Sequence, residues 1–147
     1  MELREFNLDD YEEVVDMFYE LNKDVYKDYR LIGSKYFYYK KVSKWIEDKH
    51  HIILSVNDIG VITGFTMCYI DYYDGLTEPY YMGEIAYVKP EYRNTRAAYL
   101  LYKNVVKVAE ELKLNLNSNS RLSNGVDKMV QKHFKANALF TNMERKK

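Results

Sequence analysis

The stretch best equipped for chemistry runs from Gly83 to Ala98. It reads as a strand (Gly83-Glu84-Ile85-Ala86-Tyr87-Val88), a stop (Lys89-Pro90) and a loop (Glu91-Tyr92-Arg93-Asn94-Thr95-Arg96) opening a helix at Ala97 and Ala98. A helix start leaves about four N–H groups without intrahelical partners and carries partial positive charge, so the amides of residues 94–98 can hold a pyrophosphate. Ala97 and Ala98 are small enough for the backbone to approach such a group, and Arg93 and Arg96 add positive charge. Taken alone, an Arg-x-x-Arg-x-Ala is more simply a pair of solvated charges at the start of a surface helix. The elements around it decide between the two readings.

Those elements follow from periodicity. Residues 1–6 alternate weakly as a strand. Asn7 is placed to cap a helix with an acidic first turn (Asp9, Asp10, Glu12, Glu13) and an apolar stripe of Tyr11, Val14, Val15, Phe18 and Leu21. Ser34 is the expected cap of a second helix, with Tyr38, Val42, Trp45 and Ile46 on one side and an end near Lys49. His51 to Val56 and Val61 to Tyr72 are two strands around the turn Asn57-Asp58-Ile59-Gly60. Residues 73–79 form a loop, Tyr80 to Val88 a strand ended by Pro90, and Thr95 to Leu112 a long amphipathic helix. Leu114 and Leu116 mark a short strand, Ser123 or Asn124 caps a last helix, and Leu139 to Arg145 closes with a strand. The fold class is therefore α/β (α+β), with a mixed, mostly antiparallel central sheet flanked by helices in the order β-α-α-β-β-β-α-β-α-β. One domain over residues 1–147 is expected, a length that suits a single core.

Composition narrows the function. Lys plus Arg equals Asp plus Glu at 22 each, so no basic excess favours nucleic acid; that reading rests only on aromatics and a Lys-rich C-terminus. The lone Cys68 excludes an intrachain disulfide, and its apolar strand makes it a small buried hydrophobe rather than a nucleophile. His50 and His51 have no recognisable metal partners, and no metal is expected. The acidic opening lacks a secretory n-region, and no apolar run approaches the roughly 20 residues that span a bilayer. A cytoplasmic protein with no membrane and no nucleic-acid partner is the expectation. Sixteen tyrosines, many at 69–81 and 87–102, reflect either a compositional bias or the amphipathic wall of a ligand groove, with Tyr72, Tyr73 and Tyr80 as its acceptor-side candidates.

With this order of elements, Val88-Lys89-Pro90 followed by Arg93-Asn94-Thr95-Arg96-Ala97-Ala98 resembles the GNAT superfamily of acetyl-CoA-dependent N-acetyltransferases. The resemblance covers the chain as topology and about 16 residues as motif. It implies that acetyl-CoA is the cosubstrate, its pyrophosphate held at residues 93–98 and its pantetheine arm paired with the backbone of Tyr87 and Val88. A small-molecule or peptide primary amine is the implied acceptor. The family's central glycine is Arg96 here: a β-carbon either crowds the phosphate, or the side chain turns outward to grip the ligand.

The resemblance also implies a base on the fourth strand, where Glu84 stands, its alternative being a salt-bridged strand carboxylate. Relatives carry a proton-donating tyrosine toward the end of the last helix, and that position is Phe134 here. His133, Ser118 or a nearby tyrosine takes the role, or water protonates the thiolate. Asn117 and Asn124 flank the turn where relatives use amides on pantetheine, although capping is the simpler reading of Asn124. Phe134 and Arg96 together leave a second expectation open, a non-catalytic coenzyme A-binding or protein-interaction member of the fold. Only one short strand is expected after the last helix, which leaves the acceptor side less enclosed and makes a homodimer the preferred assembly.

Overall fold

Among the described residues, apolar side chains along five strands produce a sheet that needs cover on both faces, and three helices supply it. The computed structural model describes residues 1–26, 32–73 and 75–118. Strands β1 (Glu2–Glu5), β2 (His51–Val56), β3 (Ile62–Tyr72), β4 (Pro79–Val88) and β5 (Asn115–Ser118) lie in the order β1-β2-β3-β4-β5. Neighbours are antiparallel except β4 and β5, which run parallel. Helices α1 (Tyr11–Val25) and α2 (Lys35–Glu47) precede β2, and α3 (Ala97–Leu112) connects β4 to β5. The order read from the sequence is observed through β5. The expected last helix and closing strand, with Asn124, His133 and Phe134, lie outside the described residues.

The two faces have separate cores. Helix α1 buries Val14, Val15, Met17, Phe18 and Leu21, and α2 buries Tyr38, Val42 and Trp45, each at helical spacing. They pack on Leu54, Phe65, Met67, Ile85 and Tyr87 of the sheet. Helix α3 covers the other face, with Tyr102, Val105 and Ala109 against Cys68, Tyr81 and Ala86, and with Ala97 and Leu101 against Val88. Each fully buried side chain of this size stabilises the fold by about 1.5–3 kcal/mol.

Two boundaries differ from the sequence reading, and one expected cap makes no side-chain bond. Asn7 caps a 3₁₀ turn at Leu8–Asp10, not α1 itself: its side chain accepts from Asp9 N at 2.9 Å while Asp10 Oδ2 accepts from Asn7 N at 2.9 Å. Asp10 is in turn gripped by Arg4 at 2.8 and 2.9 Å, which ties β1 to the start of α1. Ser34 stands at the start of α2 but makes no side-chain cap bond. Helix α3 begins at Ala97, two residues later than Thr95. The ends of α2 and α3 are closed by lysines: Lys49 (φ 58°) and Lys113 (φ 59°) are left-handed, with His50 N donating to Trp45 O and Leu114 N to Ala109 O, both at 3.0 Å. These tight ends feed each helix directly into the next strand.

Candidate active site

The register of β4 sets the chemistry. Gly64 to Met67 pair with Val88 to Ile85, but Cys68 pairs with Gly83, so Glu84 is an extra residue in a β-bulge. Alternation breaks there: Tyr81 packs toward α3, whereas Glu84 and Ile85 both turn to the α1/α2 face, after which Ala86 faces α3 again. The bulge therefore aims a carboxylate into a cleft of about 620 Å³ between the sheet and the two helices. Tyr69, Met67, His50, Trp45 and Phe18 share its wall.

Within the cleft Tyr69 Oη donates to Glu84 Oε1 at 2.9 Å. Burial, and then the neighbouring Glu84 charge, push the Tyr69 phenol above its ordinary value, so the proton stays on Tyr69 and Glu84 remains the acceptor. His50 stacks on the Tyr69 ring at 4.5 Å and 19° between planes. Burial holds its imidazole below the usual histidine value, which favours a neutral ring near neutral pH. His51 turns away and shares a 2.7 Å hydrogen bond with Tyr81 Oη.

Beside this cleft the sheet opens. Strand β5 follows β4 from Tyr80↔Asn115 to Gly83↔Ser118 and stops, so among the described residues the outer edge of β4 is unpaired beyond Gly83. Lys89 N donates to Thr63 O at 2.9 Å, which by strand alternation turns the main chain of Tyr87 toward β3 and that of Ala86 and Val88 outward. The Tyr87 ring, 2% exposed, belongs to the α1/α2 core.

At the end of β4 the chain makes a 3₁₀ turn, Pro90–Tyr92, before α3. Thr95 organises the approach to the helix: its Oγ1 donates to Tyr92 O at 2.6 Å and accepts from Ala97 N at 3.2 Å. One amide of the helix start is thus taken by the loop itself. The N–H groups of Asn94, Arg96 and Ala98 have no hydrogen-bond partner among the described residues. Arg96 adopts φ −81° and ψ 4°, a conformation open to any residue, so its β-carbon strains nothing; its side chain is exposed and lies over the Tyr99 ring at 5.3 Å. Arg93 is committed elsewhere, with Nε on Val88 O at 2.8 Å and Nη2 on Asp24 at 3.1 Å. Lys89 pairs with Glu13. These two ties fasten α1 to the loop and leave Arg96 as the cation of its exposed side.

The remaining sequence candidates fall into two places. The Tyr73 and Tyr80 rings meet at 4.5 Å, tilted by 32°, Asn117 Nδ2 donates to Tyr73 Oη at 3.4 Å, and Tyr72 is 56% exposed; none of the three tyrosines lines the Glu84 cleft. Of the 69–81 stretch, Tyr69 is the member that does. Ser118 is buried on the α3 face in a hydrogen bond with Tyr102 Oη, across the sheet from Glu84. Cys68 is buried, and burial pushes its thiol up to about 12, which makes it inert. Sequence reasoning missed Trp45 and His50 as cleft residues; the apolar stripe of α2 and its expected end near Lys49 were the signals that place both at that edge.

A mixed sheet opens beside a strand that carries an inward carboxylate, with helix-start amides at its mouth that have no partner among the described residues. The model of the GNAT acetyltransferase family matches residues 15–124, and the chain belongs to that family. No functionally curated protein matches it in sequence. Similar solved structures include an aminoglycoside 6'-N-acetyltransferase from Acinetobacter haemolyticus (17% identity, TM-score 0.67, covering 90% of this chain and 88% of that one). A ribosomal-protein-alanine N-acetyltransferase from Brucella melitensis is as close (17%, TM-score 0.67, 90% of each chain). A transcriptional regulator from Bacillus halodurans shares the fold as well (20%, TM-score 0.68, 92% and 93%). At these identities the likeness is one of fold.

Proposed function

We propose that this chain transfers an acetyl group from acetyl-CoA to a primary amine, the amine attacking directly in a ternary complex. The observation that carries the reading is Glu84, turned by the bulge into a cleft beside the unpaired edge of β4. The residues present fit the cosubstrate. Ala86 and the N–H of Val88 offer main-chain groups along that edge, the Val88 carbonyl being held by Arg93, while Asn94, Arg96 and Ala98 offer amides and the small Ala97 and Ala98 let a diphosphate approach. Acetyl-CoA supplies a thioester whose thiolate, with a conjugate acid near pKa 8.5, leaves tolerably unaided.

The chain's own groups act on the amine. An ammonium must lose a proton before it attacks, and Glu84 is the acceptor positioned for it, directly or through one water. Tyr69 fixes the carboxylate by donating to Oε1 and keeps its own proton. Met67, Trp45 and Phe18 exclude water from the same wall, which strengthens each of these polar contacts.

Calorimetric titration with acetyl-CoA, paired with thiol release over an amine panel, tests the reading. Binding is expected, and Glu84→Gln should lower turnover roughly 10²–10⁴-fold with acetyl-CoA affinity retained. No binding at millimolar acetyl-CoA ends the proposal, and binding without thiol release from any amine favours the non-catalytic member of the fold.

A further inference from the structure

The lining of the Glu84 cleft differs from what a polycationic acceptor requires. Six aromatic rings, Phe18, Tyr26, Phe37, Tyr38, Trp45 and Tyr69, share its wall with the polar side chains of Asn22, His50 and Glu84. They brace one another: Phe18 meets Tyr38 edge-on at 5.0 Å and Trp45 at 4.8 Å, and Phe37 meets Tyr38 edge-on at 5.8 Å. Such contacts hold the rings as a preformed surface. The charged lining residues described are Lys41, Lys44, Asp48 and Glu84, which cancel. Asp48 is moreover paired with Lys44 at 3.3 Å, and Lys41 stands at the exposed mouth over Phe37. Among the described residues, a polyamine or an aminoglycoside would meet two carboxylates, Glu84 and the lysine-paired Asp48, and lysines at the mouth.

From this lining we infer that the acceptor is a small monoamine carried on an apolar, ring-bearing body, with its nitrogen at Glu84 and its ring among Phe18, Trp45 and Phe37. The inference rests on the transferase reading for what happens to the amine, but not for its binding. A cavity of about 620 Å³ is the size for one small molecule. An ammonium desolvated among aromatic faces gains cation–π attraction in addition to the carboxylate, and an aryl body gains the burial that a polar one forfeits.

Trp45 is the only tryptophan of the chain and lines the cleft, so its emission reports occupancy without any turnover. Emission would be titrated with 4-phenylbutylamine, n-butylamine, spermidine and kanamycin, each with and without coenzyme A. The expected result is a change in emission with 4-phenylbutylamine at a Kd at least about tenfold below those of the other three. Phe37→Ala, at a half-exposed position that leaves the core intact, should weaken 4-phenylbutylamine about fivefold and spermidine not at all. Spermidine or kanamycin binding as tightly, n-butylamine matching the aryl amine, or no response to any amine would overturn the inference. Acetyl-CoA calorimetry on the same sample separates the two readings. Aryl amine binding without acetyl-CoA binding retires the transferase alone, whereas fastest acetylation of spermidine retires only the acceptor class.

Discussion

Gly64 lies where β3 passes close against β4, and adding one carbon to it should loosen the strand that carries the site. A β-carbon there would sit 2.5 Å from Tyr87 O, 3.1 Å from Val88 Cα and 3.2 Å from Ser55 Oγ. Even the closest favourable carbon–oxygen contacts between strands are about 3.3 Å, so the strands must part by several tenths of an ångström. Overpacking of this kind costs about 1–3 kcal/mol, and a stretched ladder bond between Phe65 and Tyr87 adds about 1. The stiffer unfolded chain returns about 0.4–1 kcal/mol, leaving Gly64→Ala destabilised by roughly 1–3 kcal/mol. For a chain of this length that is a fall in Tm of about 3–10 °C by circular dichroism. Because the displacement falls on Tyr87 and Val88, acetyl-CoA affinity measured well below the melt should drop too. Gly60→Ala is the control: Gly60 has φ +86° and nothing within 4 Å, so the substitution costs about 1–2 kcal/mol of left-handed backbone strain and leaves acetyl-CoA binding intact. A Gly64→Ala protein that melts within about 1 °C of the parent and binds acetyl-CoA equally well would refute the close approach and the order of the site built on it.

Three further outcomes are expected. Tyr69→Phe removes the 2.9 Å hydrogen bond to Glu84, a charge-assisted contact of about 1.5–3 kcal/mol, and should lower kcat about tenfold or more with acetyl-CoA affinity unchanged; an unaltered kcat would show that Tyr69 does not position the base. Cys68, its thiol pushed up to about 12 by burial, should resist iodoacetamide at pH 8 in the folded protein and react at the rate of unfolding, so fast labelling without denaturant would contradict its placement. Asp10, whose side chain is 6% exposed, is held below the usual carboxylate range first by its hydrogen bond from Arg4, so its contribution is present above the unfolded value of 3.8 and lost as pH falls through the folded value beneath it. Asp10→Asn should cost about 2–4 kcal/mol in urea melts at pH 7 and markedly less at pH 3; an equal cost at both would mean that charge is not what Asp10 contributes.

The elements that the sequence disclosed are those whose pattern is local. The β-branched run His51–Val56 is a strand to the residue, and the turn after it has the expected chemistry, Asn57 Oδ1 accepting from Ile59 N and Val61 N while Gly60 takes the left-handed position. The stripe of α3 is likewise legible from its spacing. The features that escaped depend on partners far away in the chain. Arg93 looked like a ligand for phosphate because its neighbours suggested it, yet Asp24, 69 residues earlier, claims one end of it. Lysines in the left-handed closing positions of α2 and α3 gave no warning, since glycine or asparagine is the usual signal there. Whether Arg96 in place of a glycine strains the backbone depends on its dihedral angles, which residue types do not disclose.

The bulge at Glu84 is the clearest case of a site feature that residue types cannot announce. Strict alternation from Tyr81 would put Glu84 on the α1/α2 face and Ile85 toward α3; counted back from Val88 it would put Ile85 on the α1/α2 face and Glu84 toward α3. Both halves of β4 have buried partners to satisfy, Tyr81 against Tyr102 and Val105, and Ile85 and Tyr87 against α1 and α2. The two demands are out of phase by one residue, and an extra residue is the cheapest way to meet both, since slipping either half would turn a whole set of apolar side chains to the wrong face. The carboxylate thus reaches the cleft as a consequence of packing on two faces. Its direction is set by the same buried side chains that hold the sheet together, which is why a change as small as one carbon at Gly64 is expected to reach the chemistry.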